Sequence, residues 1–322
     1  MKTIAVTGAA GFIGSRTILE LQKRGYKTIS VDAVEHFQTR GELSIIPHEM
    51  IIAREGFIKW LLSHSVEAIF HLGACTDTTE LDENYLRQIN FEYSQAIWSH
   101  CARKKIPLIY ASSAATYGGG ENGYDDNEDA IPTLQPLNPY GWSKQAFDIW
   151  ALSEERAGRT PSAWSGFKFF NVYGWGEKHK KKMASVIVHA FHQINATGKM
   201  KLFRSHKAGI GDGEQKRDFI FVEDVVDVLL FAYEKSIRRG IFNLGTGQAR
   251  TFLDLIRATF MNMGRTENIE FIDTPEILRA RYQYFTQAEM GKLLSLGYTR
   301  PFTSLEDGVA RYVSQLKNNS PT

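Results

Sequence analysis

Three glycines three residues apart constrain this chain more than any other feature. Gly8, Gly11 and Gly14 lie in the run Gly8-Ala9-Ala10-Gly11-Phe12-Ile13-Gly14, directly after an apolar run at 3–7 and at the start of a helix-patterned segment that ends near Arg24. In such a turn the first glycine allows the tight bend, the second lets backbone approach a pyrophosphate, and the third lets the helix pack on its sheet. The helix N-terminus adds unpaired N–H groups and a partial positive charge. Asp32 closes the next strand-like run, where a carboxylate accepts hydrogen bonds from ribose hydroxyls. A strand, glycine turn, helix and acid in this order predict a dinucleotide site on a parallel sheet.

The chain beyond the turn keeps the same rhythm. Short apolar runs at 28–31, 68–72, 108–111 and 166–170 read as buried strands separated by amphipathic segments. Parallel strands need crossover connections, so the expected fold is α/β, a Rossmann-like doubly wound parallel sheet with helices on both faces. Leu86, Ile89, Tyr93, Ala96 and Ile97 predict one buried helical stripe. The glycine- and proline-rich stretch 113–138 reads as a long loop at a strand's carboxyl end. Past Asn171 the rhythm breaks into a basic loop, a helix over 183–196 and an irregular stretch at 204–216. Runs at 217–222 (strand), 225–233 (helix) and 240–243 (strand) predict a return to the main sheet, and a C-terminal helix carries Leu305, Val309, Tyr312, Val313 and Leu316 on one face. This predicts two interleaved units: a dinucleotide-binding domain of 1–172 plus 217–247, and a smaller substrate-binding domain of 173–216 plus 248–322.

Composition narrows the partners. The 322 residues carry 38 basic and 36 acidic side chains, a net charge of +2, too small for the broad positive field that nucleic acid or anionic membranes require. Small molecules are the expected partners. Cys75 and Cys101 have neither disulfide nor zinc spacing, which suits a reducing cytoplasm, and no metal is expected. No apolar run is long enough to span a membrane, and no export signal is read at the N-terminus. The acidic run Asp125, Asp126, Glu128 and Asp129 lacks calcium-loop spacing and is expected to decorate the exposed loop.

Tyr140 and Lys144 stand four apart in a helix-patterned segment, so phenol and ammonium share one face. A tyrosine titrates near pH 10, and nearby positive charge lowers that value toward what a general base needs. Ser113 follows the strand at 108–111, where its hydroxyl can hold a reacting oxygen. Together these residues suit oxidation of an alcohol. Asp32 favours NAD, whereas Arg40 or Arg54 could meet the 2′-phosphate of NADP.

The glycine turn, Tyr110-Ala111-Ser112-Ser113 and the Tyr140/Lys144 pair resemble the extended short-chain dehydrogenase/reductase family. Narrower blocks resemble its ADP-L-glycero-D-manno-heptose 6-epimerase branch: Ser112 to Gly119, Phe170-Asn171-Val172-Tyr173-Gly174, His179-Lys180 with Met183-Ala184-Ser185-Val186, Lys216-Arg217-Asp218-Phe219, and Arg281-Tyr282-Gln283. The resemblance runs from Met1 to about Leu316. It implies a cytoplasmic, NADP-dependent isomerase that epimerises C6 of ADP-heptose through a ketone, for the heptose of the lipopolysaccharide core. It also implies a homo-oligomer, a pentamer in the family.

By the same resemblance Lys180 is the acid/base opposite Tyr140. Cofactor contacts fall on Phe12, Ile13, Leu72, Gly73, Ala74, Cys75, Thr76, Asn90, Val172 and Lys180, and substrate contacts on Ser113, Asn171, Lys182, His189, Phe203, Arg204, Ser205, His206, Arg217 and Tyr282. A guanidinium at 217 suits pyrophosphate oxygens. The chain departs from the family at Lys181 and Lys182, where a glycine and a small residue are usual, and at Ala33, where a polar residue is common. Rival readings are a nucleotide-sugar 4,6-dehydratase, disfavoured by Ala114 and Ala115 where carboxyl groups are needed, another nucleotide-sugar epimerase, and a non-catalytic dinucleotide-binding protein.

Overall fold

The computed structural model describes residues 2–43, 45–279 and 282–318; Arg281 of the predicted Arg-Tyr-Gln block lies outside the described residues. Strand β1 (Thr3–Thr7) is followed by β2 (Lys27–Asp32), β3 (Met50–Ala53), β4 (Ala68–His71), β5 (Leu108–Ser113), β6 (Trp164–Phe169), β7 (Asn171–Tyr173), β8 (Met200–Phe203), β9 (Lys216–Phe221), β10 (Ile241–Leu244), β11 (Ala249–Thr251) and β12 (Ile269–Ile272). A seven-stranded sheet has the order β3-β2-β1-β4-β5-β6-β10, and every pairing in it is parallel. The order reverses between β1 and β4, so the crevice at their carboxyl ends is where ligands bind in such sheets.

Alternation along the strands sends side chains to two cores. Ile4, Val6, Phe70 and Phe167 pack beneath helices Phe12–Lys23 and Val222–Glu234. Ala5, Ile69, Tyr110 and Trp164 face Tyr93–Lys104 and Pro139–Arg156. A third core, around Tyr173, Ile187, Phe191, Ile256, Val309, Tyr312 and Leu316, joins helices Val186–Thr197, Phe252–Met263 and Leu305–Asn318.

Three expectations need correction, and one strand was not anticipated. The return to the main sheet runs through β10, not through the strand at 217–222: β9 pairs with β7 and β11 in a separate three-stranded sheet. Strand β3 escaped the hydrophobic pattern because it is an edge strand whose Met50 and Ile51 are exposed. The buried side of the helix after β4 is Leu86, Asn90, Ser94, Ile97, Trp98, His100 and Cys101, while Ile89, Tyr93 and Ala96 are half-buried; polar Asn90 and Ser94 hold inward places that an apolar pattern passes over. The acidic run is not mere decoration. Asp126 is buried and accepts from the Asn243 N–H, while Glu128 pairs with Arg239 and Lys292.

Candidate active site

The glycine turn forms as its spacing requires. Gly8 has φ +70°, and a Cβ on Gly14 would sit 2.1 Å from the Gly8 carbonyl oxygen. Gly11 is the N-cap of helix Phe12–Lys23 without a side-chain cap, so the first N–H groups face the cleft unpaired by any cap side chain. These residues open a cleft of about 380 Å³ lined also by Asp32, Arg40, Arg54, the stretch from Leu72 to Thr76, and Lys180. Backbone cradle, helix terminus and acid together fit a bound dinucleotide.

Asp32 braces the turn as well as facing the cleft. Its carboxylate accepts from the Ala10 N–H at 3.1 Å, the Ala33 N–H at 2.8 Å and His36 at 2.8 Å. Arg40 donates to the Ala10 carbonyl at 2.7 Å, and burial lowers its pKa against the pull of Asp32. Arg54 is paired with its neighbour Glu55.

Behind the Leu72 to Thr76 wall a chain of hydrogen bonds ties the cleft to the helix that carries Tyr140. Gly73 N–H donates to Thr7 Oγ1, which meets His71 Nδ1 at 2.7 Å, and His71 Nε2 meets Ser94 Oγ at 2.8 Å. Asn90 holds Cys75 through both backbone groups and donates to Ser143 Oγ, which donates to the Tyr140 carbonyl.

Helix Pro139–Arg156 begins where its sequence dictates, with Asn138 capping the Gly141 N–H and Pro139 in the first turn. This sets Tyr140 and Lys144 beside the end of β5. Burial pushes the Tyr140 phenol up, and its hydrogen bond with Ser113 acts the other way. Lys144 donates to the Ala111 carbonyl at 3.1 Å, and burial lowers it to about 8 against Asp148 and Cys75. Cys75, which lines the cleft, faces both residues.

Lys180 reaches the cleft from the turn Lys178–Met183, with its ammonium 5.6 Å from the Phe12 ring centre. Burial lowers its pKa, opposed by Glu177. Farther out, Arg217 is buried between Phe252 and Tyr282, with ring centres 5.5 and 5.8 Å away, and Phe203 packs edge-on against Tyr282. The guanidinium donates to the carbonyls of Lys216 and Gln283. Asp218 and Asp224 are engaged elsewhere, with Thr246 and Thr303.

Arg204, Ser205 and His206 form the adjoining loop, in which Ser205 N–H donates to Asp212 and His206 accepts from the Thr274 N–H. Asn171 and Val172 start β7, which pairs with β9. Lys182 and His189 are exposed and do not line the cleft. Sequence reasoning missed His36, Asp77, Tyr85, Ile89, Tyr93, His179 and Met183, which do line it. His179 and Met183 stand in the block quoted for the family resemblance and Ile89 and Tyr93 in the expected helical stripe, but none was assigned to the site; His36, Asp77 and Tyr85 carry no motif, and only the fold brings them to the cleft. Among the described residues no group of side chains could hold a metal ion, and no helix is long and apolar enough to cross a membrane.

Residues 4–245 match the NAD dependent epimerase/dehydratase family, and the chain belongs to it. Within that class, several curated relatives carry one name. The ADP-L-glycero-D-manno-heptose-6-epimerases of Fusobacterium nucleatum and Brachyspira hyodysenteriae are 44% and 40% identical to it, over 96% and 98% of both chains respectively. The crystal structure of the Helicobacter pylori ADP-L-glycero-D-manno-heptose-6-epimerase superposes with a TM-score of 0.81 at 27% identity, covering 98% of this chain and 96% of that one.

Proposed function

We propose that the chain interconverts ADP-D-glycero-D-manno-heptose and ADP-L-glycero-D-manno-heptose at C6, a redox-neutral isomerisation through a ketone. The observation that carries this reading is the buried Ser113/Tyr140/Lys144 set, which stands behind the cleft wall at Cys75 without lining the cleft, together with Lys180, which lines the cleft from a different element. A bound nicotinamide dinucleotide supplies the hydride acceptor and donor. The chain's own residues handle oxygen and protons. Ser113 Oγ and the Tyr140 hydroxyl hold the C6 oxygen. Lys180 Nζ and the Tyr140 phenol exchange protons with the C6 oxygen on opposite faces: whichever is deprotonated takes the hydroxyl proton on its face, and the other returns a proton to the ketone oxygen on the opposite face. In the reverse direction the two groups exchange tasks.

Arg40, half-buried beside Asp32 at the ribose end of the cleft, supports NADP over NAD. Arg217, flanked by aromatic rings and with no carboxylate partner among the described residues, is assigned to the diphosphate of the substrate. The division into 1–172 plus 217–247 and 173–216 plus 248–322, cytoplasmic residence, a homo-oligomeric assembly and a role in lipopolysaccharide heptose supply belong to the same reading. Conversion of ADP-heptose by Tyr140→Phe and Lys180→Met, followed by NMR, tests it. Each change is expected to cost about 100-fold or more in kcat; parental rates in both would refute the two-residue assignment.

A further inference from the structure

The turn that carries Lys180 is held by a carboxylate that touches nothing in the cleft. Glu177 is fully buried. Its Oε2 accepts from the Ser185 N–H at 2.7 Å, and its Oε1 accepts from the Ser185 hydroxyl at 2.6 Å and the Gly174 N–H at 3.5 Å. Its own carbonyl accepts from the Lys180 N–H at 2.9 Å. Glu177 therefore ties Ser185, just beyond the Lys178–Met183 turn, through its side chain and Lys180, within the turn, through its backbone. Ser185 is the N-cap of helix Val186–Thr197; its hydroxyl makes no cap bond and donates to Glu177. A carboxylate at that helix terminus is stabilised by the helix dipole.

We propose that Glu177 is the positioning residue for Lys180: it clamps the turn that presents Lys180 to the cleft and sets a buried negative charge behind it. This rests on the assignment of Lys180 above. All its side-chain contacts in that clamp are donors, which selects the ionised carboxylate over the acid. Burial pushes Glu177 up, but Ser185 and Lys180 oppose that shift. The other charged or titratable groups facing this region are Arg40 and Glu42 from the segment after β2, His179 on the turn itself, and Tyr312 on the C-terminal helix. Glu42 is engaged with His179, which leaves Glu177 as the carboxylate acting on Lys180.

The test is pH-dependent reductive methylation of Lys180, read by peptide mass spectrometry, in the parent and in Glu177→Gln, alongside kcat across pH. Loss of the charge is expected to lower the Lys180 labelling midpoint by about one pH unit and kcat by about tenfold. A midpoint that stays put overturns the proposal, whatever kcat does. If Glu177→Gln fails to fold, Ser185→Ala decides, since it removes one donor and leaves the charge. A fall in kcat of about threefold supports the clamp, and a parental kcat overturns it. Parental activity in Lys180→Met would refute the acid/base role of Lys180, while the labelling result still reports whether Glu177 controls its charge.

Discussion

Gly8 and Gly73 meet backbone to backbone: a Cβ on Gly8 would lie 2.7 Å from the Gly73 Cα, and one on Gly73 would lie 2.8 Å from the Gly8 nitrogen. Gly8 also needs its φ of +70°. The contact joins the turn after β1 to the wall after β4 and so shapes the dinucleotide cleft. Gly8→Ala and Gly73→Ala are each expected to cost about 2 kcal/mol or more and to lower dinucleotide retention. Thermal melts and assay of nucleotide released on denaturation check this; parental retention in both would contradict the cradle.

Lys181 has φ +50° and ψ −116°, a conformation suited to glycine, at the position where the resembling family usually has one. Its side chain is exposed, so the strain has no visible return in packing. Lys181→Gly is expected to stabilise the protein by about 1 kcal/mol with little change in activity. Chemical denaturation measures it, and a loss of stability would show that the lysine contributes something beyond its backbone.

Lys168 and Asp148 form an ion pair at 2.8 Å with both side chains fully buried. Asp148 also accepts from Tyr110 and Ser112, and Lys168 donates to Thr116, so the network fixes the helix of Tyr140 against β5. Removing one partner leaves a buried charge uncompensated. Lys168→Met is expected to destabilise by about 3–5 kcal/mol, and Asp148→Leu added to it to recover part of that loss. A double variant less stable than the single one would contradict this.

His71 is buried between Thr7 and Ser94, and burial, helped by Lys144, lowers it to about 3. The folded state keeps the ring neutral while the unfolded chain binds a proton below about pH 6.5. The stabilisation is therefore complete above that pH and lost progressively as pH falls toward 3, on the order of 4 kcal/mol over the window. Melting curves from pH 7 to 4 should show a steeper acid loss in the parent than in His71→Asn.

Local patterns were legible in the sequence, and long-range partnerships were not. The glycine turn and the four-residue spacing of Tyr140 and Lys144 depend on neighbours within one or two turns, and the structure has both in the expected elements. Strand β9 was legible as a strand, but its sheet was not, because β7 and β11 compete with the main sheet for it. Asn90 shares the inward face of Leu86, four residues before it, but as a polar residue it was passed over in favour of the apolar Ile89. The Glu177–Ser185 clamp and the His71 relay join residues whose separate spacings carry no signal.

Running the epimerisation in deuterated water is the most direct test of the central claim, that the hydrogen on C6 is removed and restored within the protein. NMR of the product is predicted to show C6 carrying protium only, with no external reductant consumed. Solvent deuterium at C6 would contradict it.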